Sequence, residues 1–386
     1  ASAQHINRDS YYGGGQDLNA YGNTTDLNWM AGSQYVYSFG KCIFMPADLT
    51  AGIEFNQDKL EDNMWGYHRT VDQKVNIGSA FFQNEWKNEH WGFLIGGRLD
   101  KHNLIDHVIF SPRANLRYNP TENINLRFSY SSGFRAPQAF DEDLHVENVG
   151  GNVAMVELAD NLKEERSQSL SASADIYHRF GAFQVNFLVE GFYTKLSDVF
   201  ALTDGEIVDG ILTRTRYNAP GARVMGLTLE GKMAYLTKFQ LQAGITLQQS
   251  HYSEPHVWNK EAPAVKKMMR TPNTYGYFTA TYTPIKPLSI ALSGTYTGSM
   301  LVPHEPVPGF LEKPITVNTK DFFDIGLKAA YDFKLYKSMN LQVNAGVQNI
   351  FNAYQNDFDK GADRDSGYIY GPSLPRSFFA GVKISY

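Results

Sequence analysis

Residues 239–248 read FQLQAGITLQ. In an extended chain Phe239, Leu241, Ala243, Ile245 and Leu247 point to one side. Gln240, Gln242, Gly244, Thr246 and Gln248 point to the other, because successive strand side chains alternate between faces. The same period of two recurs at 123–130 (Ile124, Leu126, Phe128, Tyr130 against Asn123, Asn125, Arg127, Ser129), at 323–333 and at 339–348. It is also legible near 48–56, 91–99, 168–177, 225–235, 288–296 and 376–386. Many of these segments hold the alternation for about ten residues, the length a tilted strand needs to cross a bilayer. Strands of soluble domains run about five or six.

Composition narrows the class. The 386 residues hold 35 Lys+Arg against 40 Asp+Glu, a formal charge of −5, which excludes a strongly basic nucleic-acid binder. Charged residues are 19 %, below the roughly 25 % usual for soluble domains. No apolar run reaches the roughly 18 residues of a membrane helix, so helix-spanning folds are excluded. A mean hydropathy of −0.37 does not exclude a membrane β-barrel, whose strands alternate and never look apolar on average. The lone Cys42 forms no intrachain disulfide and no CxxC site, and reads as a small packing residue. The opening ASAQHINRDS lacks the charged and apolar regions of a signal peptide, which implies a mature form or part of a longer product.

Connections alternate in length. Short turns are expected near 87–90, 119–122, 179–182, 236–238, 284–287 and 334–338, with a longer connection near 38–47. Long loops are expected at about 10–22, 61–74, 101–107, 134–165, 203–212, 253–270, 300–319 and 352–374. An up-and-down sheet with short turns at one end and long loops at the other gives this pattern. The count is about sixteen strands, the first (about 1–9) partial. Aromatics such as Trp86, Trp91, Tyr118, Tyr235 and Phe333 gather toward strand ends, where an interfacial girdle would place them. Ordinary β-propensity is the competing reading. MVELADNLKEER (155–166) places Met155, Leu158 and Leu162 at helical spacing and reads as a short surface helix.

Five stretches then carry a resemblance. FSYSSGFRAP (128–137) is followed by QAFDEDLH, then NLKEERSQS (161–169), RYNAPGARVMGLTLEG (216–231), VQNIFNAYQ (347–355) and a terminal GPSLPRSFFAGVKISY ending at Tyr386. In this order they resemble the barrel of TonB-dependent outer-membrane receptors, and FRAPQAFDEDLH is similar to receptors of Bacteroidota. The resemblance implies a transmembrane antiparallel β-barrel in the outer membrane of a Gram-negative cell. Family barrels have 22 strands, so residues 1–386 are expected to be the C-terminal part, with the N-terminal plug and first strands on another piece. Edge satisfaction points the same way, since unpaired strand edges in lipid cost several kcal/mol per group. A complete sixteen-stranded porin, closing first strand on last, is the alternative.

The resemblance implies uptake and not catalysis, and no Ser-His-Asp or zinc spacing is visible. The expected cargo is a scarce metal-organic chelate, cobalamin or a ferric siderophore. The implied partners are the TonB complex, the plug and early-strand fragment, the lipid bilayer and a surface lipoprotein. Haem receptors of the family place a ligating His between comparable boxes, which makes His145 a candidate, although ADNL (159–162) departs from the family's motif. A solvated loop histidine competes. Trp65, Tyr67, His68, His256 and Trp258 lie in long loops, where rings could stack on a flat chelate or bury against one another. Arg135 of the FRAP motif is expected to face the lumen and contact the plug or nearby carboxylates, or to form an ion pair within the wall. Pro137 reads as a strand stop. Asp357, Asp359, Asp363 and Asp365 alternate beside two glycines, a pattern that suits Ca²⁺ in an outer loop. It lacks the Glu and spacing of an EF-hand, so a solvated acidic loop is the alternative. No cofactor is required. A passive porin, a soluble all-β carbohydrate binder and an adhesion barrel remain as other classes.

Overall fold

The structure is a computed structural model that describes residues 1–11, 20–144, 147–149, 152–336, 338–361 and 364–386. Among these residues there are twenty-one strands. The first seven are β1 (Ser2–Tyr11), β2 (Tyr21–Cys42), β3 (Met45–Met64), β4 (Arg69–Lys87), β5 (Trp91–His102), β6 (Ile109–Thr121) and β7 (Ile124–Arg135). A one-turn helix, α1 (Asp141–Leu144), and short strands β8 (Glu147–Val149) and β9 (Asn152–Leu158) follow. Then come β10 (Glu165–Phe180), β11 (Phe183–Val208), β12 (Ile211–Tyr235), β13 (Phe239–His256), β14 (Val265–Lys267), β15 (Thr274–Ile285) and β16 (Leu288–Thr297). The last five are β17 (Leu301–His304), β18 (Ile315–Asn318), β19 (Phe322–Lys334), β20 (Asn340–Gln348) and β21 (Ser377–Ser385).

Sixteen of these strands form one antiparallel ladder in chain order: β1–β7, β10–β13, β15, β16 and β19–β21. The others decorate one end. β9 pairs parallel with the outer part of β12, β14 adds to β13, and β17–β18 form a separate hairpin. Among the described residues β1 pairs only with β2, and β21 only with β20.

Burial decides which way the alternation faces. Leu126, Phe128, Ile245, Leu247, Leu327, Tyr331 and Val343 are all exposed, and Ile53 is 65 % exposed. In two stacked sheets these side chains would form the core. Here the buried apolar residues are few, many of them alanines, and gather near the long-loop end in clusters such as Val199, Ala201, Ala219 and Ala222. The accessible surface is 22,715 Å² for 43.5 kDa. A soluble monomer of that mass would expose about 15,000 Å². A wall one strand thick, apolar on its outer face, accounts for the difference.

The opposite face is polar and cross-linked by hydrogen bonds. Arg98 donates to Glu54, Asp100 and Ser79 at 2.7 Å, and Ser79 donates to Asp100 at 2.6 Å. Thr228 meets Thr246 at 3.0 Å, and Ser169 meets Thr194 at 2.9 Å. Aromatic pairs ring the short-turn end: Trp91 stacks on Tyr118 at 4.2 Å, and the rings of Phe183 and Tyr235 and of Tyr331 and Phe333 meet tilted at 4.5 and 4.6 Å. That is the girdle expected at a water–lipid interface.

Several boundaries differ from the sequence expectation. The first strand pairs ten residues, Ser2 to Tyr11, with Tyr21–Met30 and so covers only the loop-end half of β2, in keeping with a partial strand. The connection at 38–47 is a tight turn at Ile43 and Phe44. Loops expected at 61–74 and 203–212 are mostly strand. β3 and β4 continue to a single 3₁₀ turn at Trp65–Tyr67, and β11 and β12 continue to Asp209–Gly210. Both of those turn residues have positive φ, as a two-residue hairpin requires. The helix expected at 155–166 is absent. Residues 152–158 form β9 instead, because β13 leaves β12 beyond Ala222 and the outer edge of β12 offers free hydrogen-bonding groups that β9 takes up.

Candidate functional site

Seven short turns lie at one end of the wall, and the other end carries the long connections together with the tall hairpins β3–β4 and β11–β12. Many strands overrun the bilayer at the long-loop end, where β11 and β12 run 26 and 25 residues. About ten residues suffice to cross. The candidate site is therefore the loop end, and three charged staples hold it.

The first staple fixes the loop after β7. Arg135, last residue of that strand, lies over the Phe140 ring at 4.0 Å and the Phe200 ring at 5.5 Å. Arg216 approaches the other side of the cluster, 5.8 Å from the Phe200 ring, and forms an ion pair with Asp143. Both partners are almost fully buried. Asp143 also accepts the Phe140 amide at 2.8 Å. Arg69 donates to the carbonyls of Asp143, Leu144 and Val156 and lies 3.8 Å from Asp62. Thr24 donates to that carboxylate at 2.6 Å. Burial pulls the Arg69 guanidinium below its ordinary value, against the opposing pull of Asp62 and Asp143.

The second staple joins the strand entry at β10 to the β5–β6 loop. Glu164 accepts Arg166 at 2.7 Å and His107 at 3.0 Å. Burial alone would raise the Glu164 carboxyl, but the Arg166 contacts outweigh it and hold it below the usual range. Glu165 accepts the Phe200 amide at 2.9 Å.

The third staple gathers the last long loop. Asp359 accepts from the Nε2 of His304 at 2.9 Å, and the His304 ring stacks flat on Tyr368 at 3.8 Å. Asp365 accepts the amides of Glu305 and Gly367 at 2.9 and 2.8 Å. Glu305 in turn receives Arg214 at 2.7 Å and Asn259 at 2.9 Å. Asp357 accepts the hydroxyl of Tyr370 at 2.6 Å and of Tyr368 at 3.3 Å. Burial, then the Asp357 charge, pushes Tyr368 up to about 12, and Tyr370 rises for the same reasons.

These contacts place the residues singled out from sequence. Asp357, Asp359 and Asp365 do come to one loop, but each is engaged by tyrosine, histidine or backbone donors. No group of three metal-ligating side chains converges among the described residues. Asp363 and His145 lie outside the described residues. Tyr67 packs with Met64, Met155, Val153 and Ile211, whereas Trp65 beside it is 62 % exposed. His68 ends the 3₁₀ turn with a left-handed backbone. His256 is half-buried 4.9 Å from the Tyr252 ring, and burial pushes it down. The Trp258 indole N–H is buried and donates to no described residue.

Arg69, Arg214, Arg216, His304 and Glu305 were missed by sequence reasoning. Only Arg216 carried a signal, as the first residue of RYNAP.

Residues 2–350 match the family model described as TonB dependent receptor-like, beta-barrel. No curated protein matches the chain. Among solved structures, the siderophore receptor PirA from Acinetobacter baumannii superposes with a TM-score of 0.67 at 16 % identity, covering 98 % of this chain and 58 % of that one. The ferric enterobactin receptor PfeA of Pseudomonas aeruginosa, as a mutant in complex with enterobactin, gives 0.69 at 17 %, covering 99 % and 58 %. The ferric-catecholate import receptor Fiu from K12 E. coli gives 0.67 at 14 %, covering 98 % and 60 %. The chain therefore spans about three fifths of the length of these structures, and at these identities they show the fold alone. From its outward apolar face, its one-sided loops and a family match over nearly its whole length, the chain belongs to the TonB-dependent receptor β-barrel family.

Proposed function

We propose that the chain forms part of an outer-membrane receptor that takes up a ferric siderophore in a TonB-dependent manner. The observation that supports this most is the rim. Strands rise well beyond the bilayer, and buried ion pairs clamp the loops above a polar lumen. Such a vestibule suits capture of one large polar ligand better than free diffusion. A siderophore is preferred to cobalamin because the similar solved receptors handle ferric siderophores. Haem through His145 is a further outcome of the same test.

We also infer that the sheet is completed by strands and a plug carried outside residues 1–386. Two free edges in lipid would each expose a row of unpaired backbone groups costing several kcal/mol apiece. The notion that the acidic loop holds calcium draws no support from Asp357, Asp359 and Asp365, which are bonded within the protein.

The test is uptake of radiolabelled metal, iron for the siderophores and haem and cobalt for cobalamin, by cells lacking their own siderophore receptors and expressing the full gene product. Ferric catecholates, ferric hydroxamates, haem and cobalamin are offered in turn, with and without TonB. Accumulation of a ferric siderophore only with TonB is expected. Accumulation independent of TonB would support a porin instead.

A further inference from the structure

About eleven residues of a tilted strand climb the roughly 25 Å of an apolar band. His102, the twelfth and last residue of β5, therefore stands just above the lipid at the loop end. It is 0 % exposed, and none of the three staples uses it. Both ring nitrogens are committed. The Leu104 amide lies 3.0 Å from Nδ1, and a backbone N–H can only donate, so Nδ1 holds a lone pair. The hydrogen of the neutral ring is then on Nε2, which donates to the Gln138 side-chain oxygen at 3.2 Å. His102 thereby ties the β5–β6 loop to the loop after β7.

The loop after β7 is fixed independently, because Gln73 of β4 both donates to and accepts from the backbone of Ala139. The β5–β6 loop is anchored at its ends, by Asn103 on β4 and by His107 on Glu164. Between those ends it hangs on the His102 bond and on Lys101, which donates to the Ile105 carbonyl at 2.5 Å. Leu104 walls a cleft of about 630 Å³ that Arg69, Pro137, Ala139 and Leu162 also line. The charges around the ring give a proton no welcome. Asp100 shares its face of β5 but is taken by Arg98 and Ser79. On β4 its register neighbour is Ile77, and Asp72 and Lys74 are exposed. Asp106 is exposed, and Asp143 of the loop after β7 is paired with Arg216. Among the described residues no carboxylate bonds to the ring. Burial pulls His102 below the ordinary imidazole range; the Gln138 bond opposes this and the neighbouring Lys101 charge adds to it.

We propose that His102 is an acid-released catch: neutral, it fastens the β5–β6 loop to the loop after β7, and protonated, it lets residues 104–106 leave the wall of the cleft. A proton on Nδ1 aims a second donor at the Leu104 amide, so that bond is lost. The buried cation has no carboxylate to pair with, and it regains water only when the loop moves aside. The closed loop thus binds the proton less tightly than the open one. Closure is complete above the ordinary imidazole value near 6.5 and weakens as pH falls below it. One proton taken up per opening changes the equilibrium by about tenfold per pH unit. That the catch senses acidity outside the cell rests on the receptor reading, in which the long loops face outward.

The experiment is hydrogen exchange, read by mass spectrometry on the full gene product in detergent between about pH 7.5 and about pH 5, with rates corrected for the pH dependence of intrinsic exchange. Peptides covering 101–109 are expected to lose protection by up to about tenfold per pH unit below about 6.5, while those of β11 and β12 hold theirs. H102Q keeps an acceptor for Leu104 and a donor for Gln138 but cannot titrate. Its protection should match the native protein at about pH 7.5 and stay level on acidification. Q138E sets a carboxylate against Nε2 and stabilises the charged ring in the closed loop, so its protection should stay level or rise. H107Q, which removes the other histidine of this loop, should keep the native response. Native protection that ignores pH, an equal acid loss in H102Q or Q138E, or a response that disappears in H107Q would overturn the catch. Should H102Q fail to fold, Q138E keeps the question open to refutation. No cargo enters these readings, so failure of the catch is distinct from failure of the transport reading, which the uptake assay decides.

Discussion

Arg216 and Asp143 make the strongest single-residue demand on the loop end. Both are buried, and they join β12 to the loop after β7 across 73 positions. Removing one partner leaves an uncompensated buried charge, which typically costs 3–5 kcal/mol. Arg216→Ala should therefore lower stability to denaturant by about 3 kcal/mol or more, and Arg216→Ala with Asp143→Ala by clearly less than the sum of the singles. Additive losses in that cycle would show the pair does not couple. Tyr368 makes a pH demand. Its hydroxyl donates to Asp357, and burial with that charge raises it to about 12. A raised folded value means the contribution is complete below the unfolded value near 10 and is lost as pH rises through 12. Phenolate absorbance should show late-titrating tyrosines in the native protein that move part of the way back toward ordinary values in Asp357→Asn, burial keeping the remainder of the shift. An unchanged titration in that variant would remove Asp357 as the cause.

At the scale of elements, lipid is what makes a strand readable. Ile245 lies midway along the lipid-facing band of β13 and is exposed. A lysine at a midplane lipid-facing site costs about 2–4 kcal/mol. Ile245→Lys should show that loss in folding titrations into vesicles. Gln242→Lys, on the lumen side, forfeits one hydrogen bond to Tyr277 and should cost about 1 kcal/mol or less. Equal costs would mean the two faces are not differently solvated. The same asymmetry explains what could be read in advance. Within the bilayer every second residue must be apolar, so FQLQAGITLQ announced itself. Above it nothing enforces alternation, and ALTDGEIVDG (201–210) looks like a loop while forming the end of β11 and its turn into β12. Asp209–Gly210 was the available hairpin signal. The spacing of Met155, Leu158 and Leu162 suited a helix, but an open edge on β12, invisible in sequence, made β9 the better solution. The staples were illegible for a related reason. His304 and Asp359 meet across 55 positions, and no local pattern encodes such a pair.

For the whole molecule the question is what meets β1 and β21. Each has one ladder partner among the described residues, so alternate amides on its far side need either another strand or water. Hydrogen exchange on residues 1–386 in detergent resolves this. If the wall continues into further strands, the outward-edge amides of β1 and β21 should exchange fast, while those of β3 and β12, paired on both sides, stay protected by a margin approaching the stability of the sheet. In the full gene product the same edge amides should become protected, because strands now cover them. Uniform protection in the isolated chain would mean that β1 closes on β21. The molecule would then be a sixteen-stranded pore, and the transport reading would give way to passive diffusion. The outcome turns on a single physical fact, that lipid supplies no hydrogen bonds to an unpaired edge.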